Sequence, residues 1–249
     1  MRIAEVFERL DRPCDKIEHY FDLYDQWFHK FVGQGPKILE VGVQFGGSAK
    51  LWRDYFGPGT LVTGVDVNPQ CEPCDYLELI VMDQGSEESW NNLRDRFGVS
   101  YFDIVIEDGS HENRDQIVTL NESFAMLKDG GIYFCEDVHT SYYNGVRVEG
   151  GGLESKDSFV EYAKKLADVV NERHTKFALG VGPTPAGPHV SQDLLDRFGH
   201  VRGVHFYDSV VVLEKDSPPI FRRVNSDKQR QPPVGTKGNP SPQDFVLKT

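Results

Sequence analysis

Five short apolar runs, each carrying an acidic residue at or near its end, constrain the fold of this chain more than any other feature. They are KILEVGV (37–43), LVTGVDV (61–67), YLELIVMD (76–83), FDIVIED (102–108) and GIYFCED (131–137). Apolar runs of this length suit strands buried on both faces of a sheet. The stretches between them, 46–56, 86–97 and 112–128, read as helices, and Gly130-Gly131 reads as a helix stop leading directly into the fifth run. Strands alternating with helices predict an α/β fold with a parallel sheet covered on both sides. Ligands of such sheets bind outside the carboxyl ends of the strands. The acids fall there: Glu40, Asp66, Asp83, Asp108 and the pair Glu136-Asp137.

The flanks are less regular. Residues 15–32 place Ile17, Tyr20, Phe21, Tyr24, Trp27, Phe28 and Phe31 at helical spacing, which predicts a packing helix that also serves as a lid or a dimer surface. Tyr20 is expected to pack. After 137 come a Tyr- and Gly-rich loop (140–153), an amphipathic helix (156–173), a Gly/Pro-rich stretch (180–190) and one long late strand, VHFYDSVVVLEK (204–215). The Pro-rich remainder, 216–249, reads as a tail behind a single domain over 1–215. With 39% hydrophobic residues the chain can build a core, and its net charge of −12 disfavours nucleic-acid and anionic-membrane binding. No apolar run reaches spanning length and the first residues do not form a signal peptide, so a cytoplasmic protein is expected. The four cysteines, including Cys71 and Cys74 at CxxC spacing, read as ordinary thiols.

The first strand ends in Leu39-Glu40-Val41-Gly42, and Gly46-Gly47-Ser48 opens the next helix. Such a turn brings backbone N–H groups close to a ligand. It is not the GxGxxG of a dinucleotide site. The carboxylate of Glu40 would repel a pyrophosphate and favour a cationic cofactor, which points to S-adenosylmethionine. Asp66 is placed to accept hydrogen bonds from a ribose, and Asp83 lies where an adenine amino group would sit.

If the fourth and fifth strands are neighbours, their ends lie ~5 Å apart. Asp108, Glu136 and Asp137 then converge, and three carboxylates so close call for a divalent cation, Mg²⁺ or Mn²⁺. The alternative is separate caps and salt bridges with partners such as Lys128 or Arg114. His111, three residues after Asp108, is placed to take a proton from a hydroxyl. His139 could assist it or serve structurally.

The core, with KILEVGVQFGGS, Asp66 and LKDGG, resembles a class I S-adenosylmethionine-dependent methyltransferase. Together with DKIEHYFDLYDQWF, IVIEDGSH, KDGGIYFCEDVHTSYY and VHFYDSVVVLEK, it is similar to the magnesium-dependent sugar O-methyltransferases of the macrocin and mycinamicin type, from about residue 15 to 215. The resemblance implies a Rossmann-like, doubly wound, mostly parallel seven-stranded sheet with an antiparallel late strand and an N-terminal helical cap. It implies Asp108, Glu136 and Asp137 as metal ligands and His111 as general base. Of Tyr142 and Tyr143 in the loop that follows, at least one is expected to contact the substrate. Glu40 and Gly42 would border the cofactor's methionine end and Asp66 the ribose, while Gly46 and Ser48 are expected at the cofactor from the turn that opens the next helix. Asp83 and Gln84 would lie near adenine, with Asp108 shared between cofactor and metal. The expected acceptor is a sugar hydroxyl of a small-molecule glycoside or a glycan, with vicinal oxygens on the metal. No nucleic acid or membrane is expected, and a homo-oligomer is left open. Competing readings are a catechol-type O-methyltransferase, a Rossmann oxidoreductase and a non-catalytic nucleoside-binding module.

Overall fold

The computed structural model describes residues 1–144, 151–178, 182–183 and 189–217. The middle of the 140–153 loop, most of the 180–190 stretch and nearly all of the tail lie outside the described residues. The principal elements are α1 (Ile3–Phe7), α2 (Tyr20–Phe28), β1 (Lys37–Val41), α3 (Gly47–Phe56), β2 (Leu61–Asp66), β3 (Leu77–Val81), α4 (Glu87–Phe97), β4 (Phe102–Glu107), α5 (Asn113–Ser123) and β5 (Leu127–Cys135). After these come α6 (Phe159–Lys164), α7 (Leu166–Asn171), α8 (Gln192–Phe198), β6 (Val201–Tyr207) and β7 (Val210–Lys215). No helix among the described residues is long and apolar enough to cross a membrane.

The strands form one seven-stranded sheet in the order β3-β2-β1-β4-β5-β7-β6. β1 to β5 are parallel, and β7 runs antiparallel to β5 and to β6. This is the Rossmann-like, doubly wound sheet that the resemblance implies. Both faces are covered because the strands are apolar at consecutive positions. Ile38, Ile104 and Ile106 pack with Tyr24, Phe28 and Trp52 on one face. Leu39 and Val105 pack with Trp90, Leu120 and Phe159 on the other. Chain order reverses between β1 and β4, so a crevice opens at their carboxyl ends.

Four expectations on the elements need correction. The helix expected over 15–32 is shorter, Tyr20–Phe28 followed by a 3₁₀ turn over His29–Phe31, so Lys16 lies outside it. The late strand is a hairpin: Asp208 and Ser209 turn the chain, Ser209 in the left-handed region (φ 63°), and β6 pairs back onto β7. Gly130-Gly131 is not a helix stop. The helix ends at Ser123, a 3₁₀ turn reaches Met126, and the glycines lie within β5, where the register with β4 shifts. The 156–173 helix is broken into α6 and α7.

Candidate active site

The carboxyl ends of β1, β2, β4 and β5 open onto a cavity of about 600 Å³, within the ~300–1,000 Å³ usual for ligand sites. Asp66, Asp108, His111, Glu136 and Asp137 line it, together with Lys16 and Tyr20 from the N-terminal segment. A second cavity of about 280 Å³ shares Gly42, Asp66 and Gly109 with it and extends past Asp83, Gln84 and Ser110. The two form a trough along the strand ends.

Gly42 holds the floor of the trough. Its φ is 92°, and a Cβ there would stand 1.9 Å from the Asp108 carbonyl oxygen. Only glycine lets the ends of β1 and β4 approach so closely, with Asp108 N donating to Val41 O at 2.9 Å. Gly46, also left-handed, precedes α3, and Ser48 is buried in its first turn. Glu40 is fully buried. Its Oε1 accepts from Trp52 Nε1 at 2.8 Å, and its Oε2 has no partner among the described residues. Burial pushes its pKa up to about 7, against the opposing Lys16 charge and the Trp52 hydrogen bond.

Asp66 accepts from the backbone N–H of Gln44 at 2.9 Å and of Asn68 at 2.8 Å, shaping the two loops that border the cavity. Asp83 accepts from Gly85 N at 2.8 Å. Gln84 has more work within the protein than the sequence indicates. Its Nε2 donates to Glu107 Oε1 at 2.9 Å and its Oε1 accepts from Ser110 N at 2.8 Å. Glu107, for which the sequence offers no role, is thus the buried anchor of the Asp108–His111 turn. Cys135 Sγ also reaches it at 3.2 Å, and burial raises its pKa.

Two of the three expected acids converge, and His111 joins them in place of Glu136. Asp108, His111 and Asp137 each present a ligand atom, all within 4.8 Å of one another. His111 Nε2 stands 3.5 Å from Asp137 Oδ2. Both His111 (φ 60°) and Asp137 (φ 56°) are left-handed, an uncommon state for residues with a Cβ. The Thr140 hydroxyl, donating to His111 O at 2.9 Å, helps to fix the turn. His111 Nδ1 is buried with no partner among the described residues.

Glu136 is buried beside them, but both its oxygens are engaged. Oε1 accepts from the Tyr24 hydroxyl at 2.8 Å and Oε2 from Lys16 Nζ at 2.9 Å. Lys16 Nζ also donates to Asp108 Oδ2. Burial and the nearby Asp108 raise Glu136 to about 8, with Lys16 opposing. Burial also raises Asp108. Burial works against the Lys16 ammonium, yet the two carboxylates outweigh it and hold its pKa well above the ordinary value.

Lys16 is the site residue that the sequence does not reveal. Its one signal is indirect: converging acids require a cation, and neither suggested partner supplies it. Lys128 pairs with Asp103, and Arg114 reaches Gly85 O. Tyr20 packs, as expected, but its hydroxyl also lies 2.6 Å from Asp137 Oδ1 and 2.6 Å from Ser209 Oγ. His139 Nδ1 bonds Ser209 Oγ and stands 3.8 Å from Asp137 Oδ1. Tyr142 and Tyr143 are exposed and lie outside the residues lining the cavity; Tyr143 meets the His139 ring edge-on, centroids 5.3 Å apart.

Comparison with known proteins places this trough in context. No family model matches the chain. It is 28% identical over 222 residues to mycinamicin VI 2''-O-methyltransferase of Micromonospora griseorubida, covering 86% of this chain and 52% of the relative. It is 31% identical over 209 residues to the 8-demethyl-8-alpha-L-rhamnosyl tetracenomycin-C 2'-O-methyltransferase of Streptomyces olivaceus, covering 80% and 50%. The chain therefore spans about half the length of the curated relatives it matches. Among solved structures it superposes on the MycE methyltransferase in complex with Mg, SAH and mycinamycin VI. The TM-score is 0.69 at 25% identity, over 92% of this chain and 58% of that one.

Proposed function

From a chain that has the class I S-adenosylmethionine-dependent methyltransferase fold and is homologous to sugar O-methyltransferases, we propose a magnesium-dependent O-methyltransferase acting on a sugar hydroxyl of a glycoside or glycan. The convergence of Asp108, His111 and Asp137 beside a polar cavity at the strand ends carries this reading. The residues fit both groups. Hard carboxylate oxygens with an excess of negative charge suit Mg²⁺. A buried, unpartnered Glu40 oxygen at the end of β1 suits a cationic cofactor.

In this reading Asp108, Glu136 and Asp137 hold the metal, Glu40 and the Gly42–Ser48 turn border the methionine end, and Asp66 takes the ribose. Asp83 and Gln84 lie toward adenine, Gln84 chiefly by holding the turn above it. A divalent ion so held supplies Lewis acidity that lowers the pKa of a sugar hydroxyl, and S-adenosylmethionine supplies the methyl group. His111 removes the hydroxyl proton through Nε2, the nitrogen beside Asp137, whose carboxylate stabilises the imidazolium formed. The Ser110 and Thr140 contacts keep the imidazole in place through the transfer. At least one of Tyr142 and Tyr143, which lie outside the cavity lining, meets the substrate, and His139 positions Asp137 through Ser209 and the Tyr20 hydroxyl.

The purified chain is to be assayed with labelled S-adenosylmethionine against a panel of glycosides and catechols, with Mg²⁺ or with EDTA. Label should pass to glycosides only when metal is present. Transfer untouched by EDTA would remove the metal, and transfer to catechols alone would reassign the acceptor.

A further inference from the structure

We propose that Lys16 is a fixed counter-cation of the metal site, which sets the charge the incoming divalent ion meets and so weakens its binding. This rests on the metal reading above. The Lys16 side chain is only 1% exposed, as is that of Glu136, and its ammonium lies between Asp108 Oδ2 and Glu136 Oε2. A buried ammonium persists only where opposite charge compensates its lost hydration. Here two carboxylates from different strands do so.

The ammonium is anchored in place. The segment that carries it is packed on the start of α3: a Cβ on Gly47 would meet Pro13 O at 1.9 Å and Cys14 Cβ at 2.8 Å. Immediately after Lys16, Ile17 lines the cavity, and then α2 begins, with Tyr20 on Asp137 and Tyr24 on Glu136. The N-terminal segment thus supplies the acids with one charge and two neutral hydroxyls.

Charge bookkeeping gives the consequence. In the metal-bound cluster, where the ligands must be deprotonated, the three negative charges of Asp108, Glu136 and Asp137 meet one ammonium and one divalent ion, and the sum is zero. Without Lys16 the same ion would meet three uncompensated carboxylates. At separations of a few ångströms one added unit charge shifts divalent-ion affinity by about tenfold or more even at high effective dielectric. A lysine acting merely as structural support would do the opposite, because its loss would let the carboxylates splay and weaken binding.

The test is Mn²⁺ binding, read from the free-ion paramagnetic resonance signal, in wild type, Lys16→Met and Lys16→Arg, without substrate. Lys16→Met should bind about tenfold tighter or more, with Lys16→Arg near wild type. Wild type that binds Mn²⁺ while Lys16→Met binds equally or more weakly overturns the inference and leaves the metal reading standing. Wild type that binds no Mn²⁺ removes both. Should Lys16→Met melt too low for titration, its rise in melting temperature on adding Mn²⁺ is read instead. A rise larger than that of wild type supports the inference, and an equal or smaller one overturns it.

Discussion

At the scale of single residues, the site depends on side chains held in costly states. His111 and Asp137 are left-handed, and Glu40, Glu107 and Glu136 are buried acids. His111→Ala should lower kcat by roughly 10²–10⁴-fold while the melting temperature holds, checked by initial rates and calorimetry. Glu40 gives a pH signature in the ligand-free protein. Its folded pKa of about 7 is raised, so the fold favours its neutral form. That contribution is fully present below the ordinary carboxylate pKa and is lost as pH rises through about 7. Glu107, Asp108 and Glu136 shift the same way, so the difference between proteins is the quantity to follow. Between pH 4 and 8, urea unfolding should show wild type losing up to ~3 kcal/mol relative to Glu40→Gln. The acids were legible in the sequence because each ends an apolar run. Lys16 was not, since its partners lie 92 and 120 positions away and nothing local marks it.

At the scale of elements, the strands were legible because doubly buried strands need apolar residues at every position. The hairpin was hidden for the same reason: Asp208-Ser209 is a brief interruption between two apolar runs, without the Asn-Gly or Asp-Gly pair that signals such a turn. Gly130-Gly131 misled because a glycine pair before a strand resembles a helix stop, whereas here it bends β5 against β4. Gly42 tests the contact between elements. Gly42→Ala should cost at least ~1–3 kcal/mol in backbone strain, and its clash with Asp108 O should push β1 and β4 apart. Weakened Mn²⁺ binding together with a lowered melting temperature would show it.

At the scale of the whole molecule, the trough lies along the edge where β1, β2, β4 and β5 end, with apolar packing on both faces of the sheet behind it. A ligand seated there binds the folded chain alone. S-adenosylhomocysteine at 100 times its dissociation constant should therefore raise stability by ~2.7 kcal/mol, read as a concentration-dependent melting temperature. The seven-stranded order was not readable from periodicity, which says nothing about which strands are neighbours. The resemblance implied seven strands, doubly wound, and the structure supplies their order.

The Tyr20 hydroxyl joins Asp137, in the middle of the chain, to Ser209, at the turn of the last hairpin. During synthesis α2 must therefore wait for some 190 residues, about ten seconds or more at ribosomal speed, before this contact exists. A nascent chain can form β1 to β5 and still lack a finished site. Under the proposed function, competence for chemistry arrives late, with the closing hairpin, so a chain cut just before Ser209 should keep much of its sheet and lose methyl transfer.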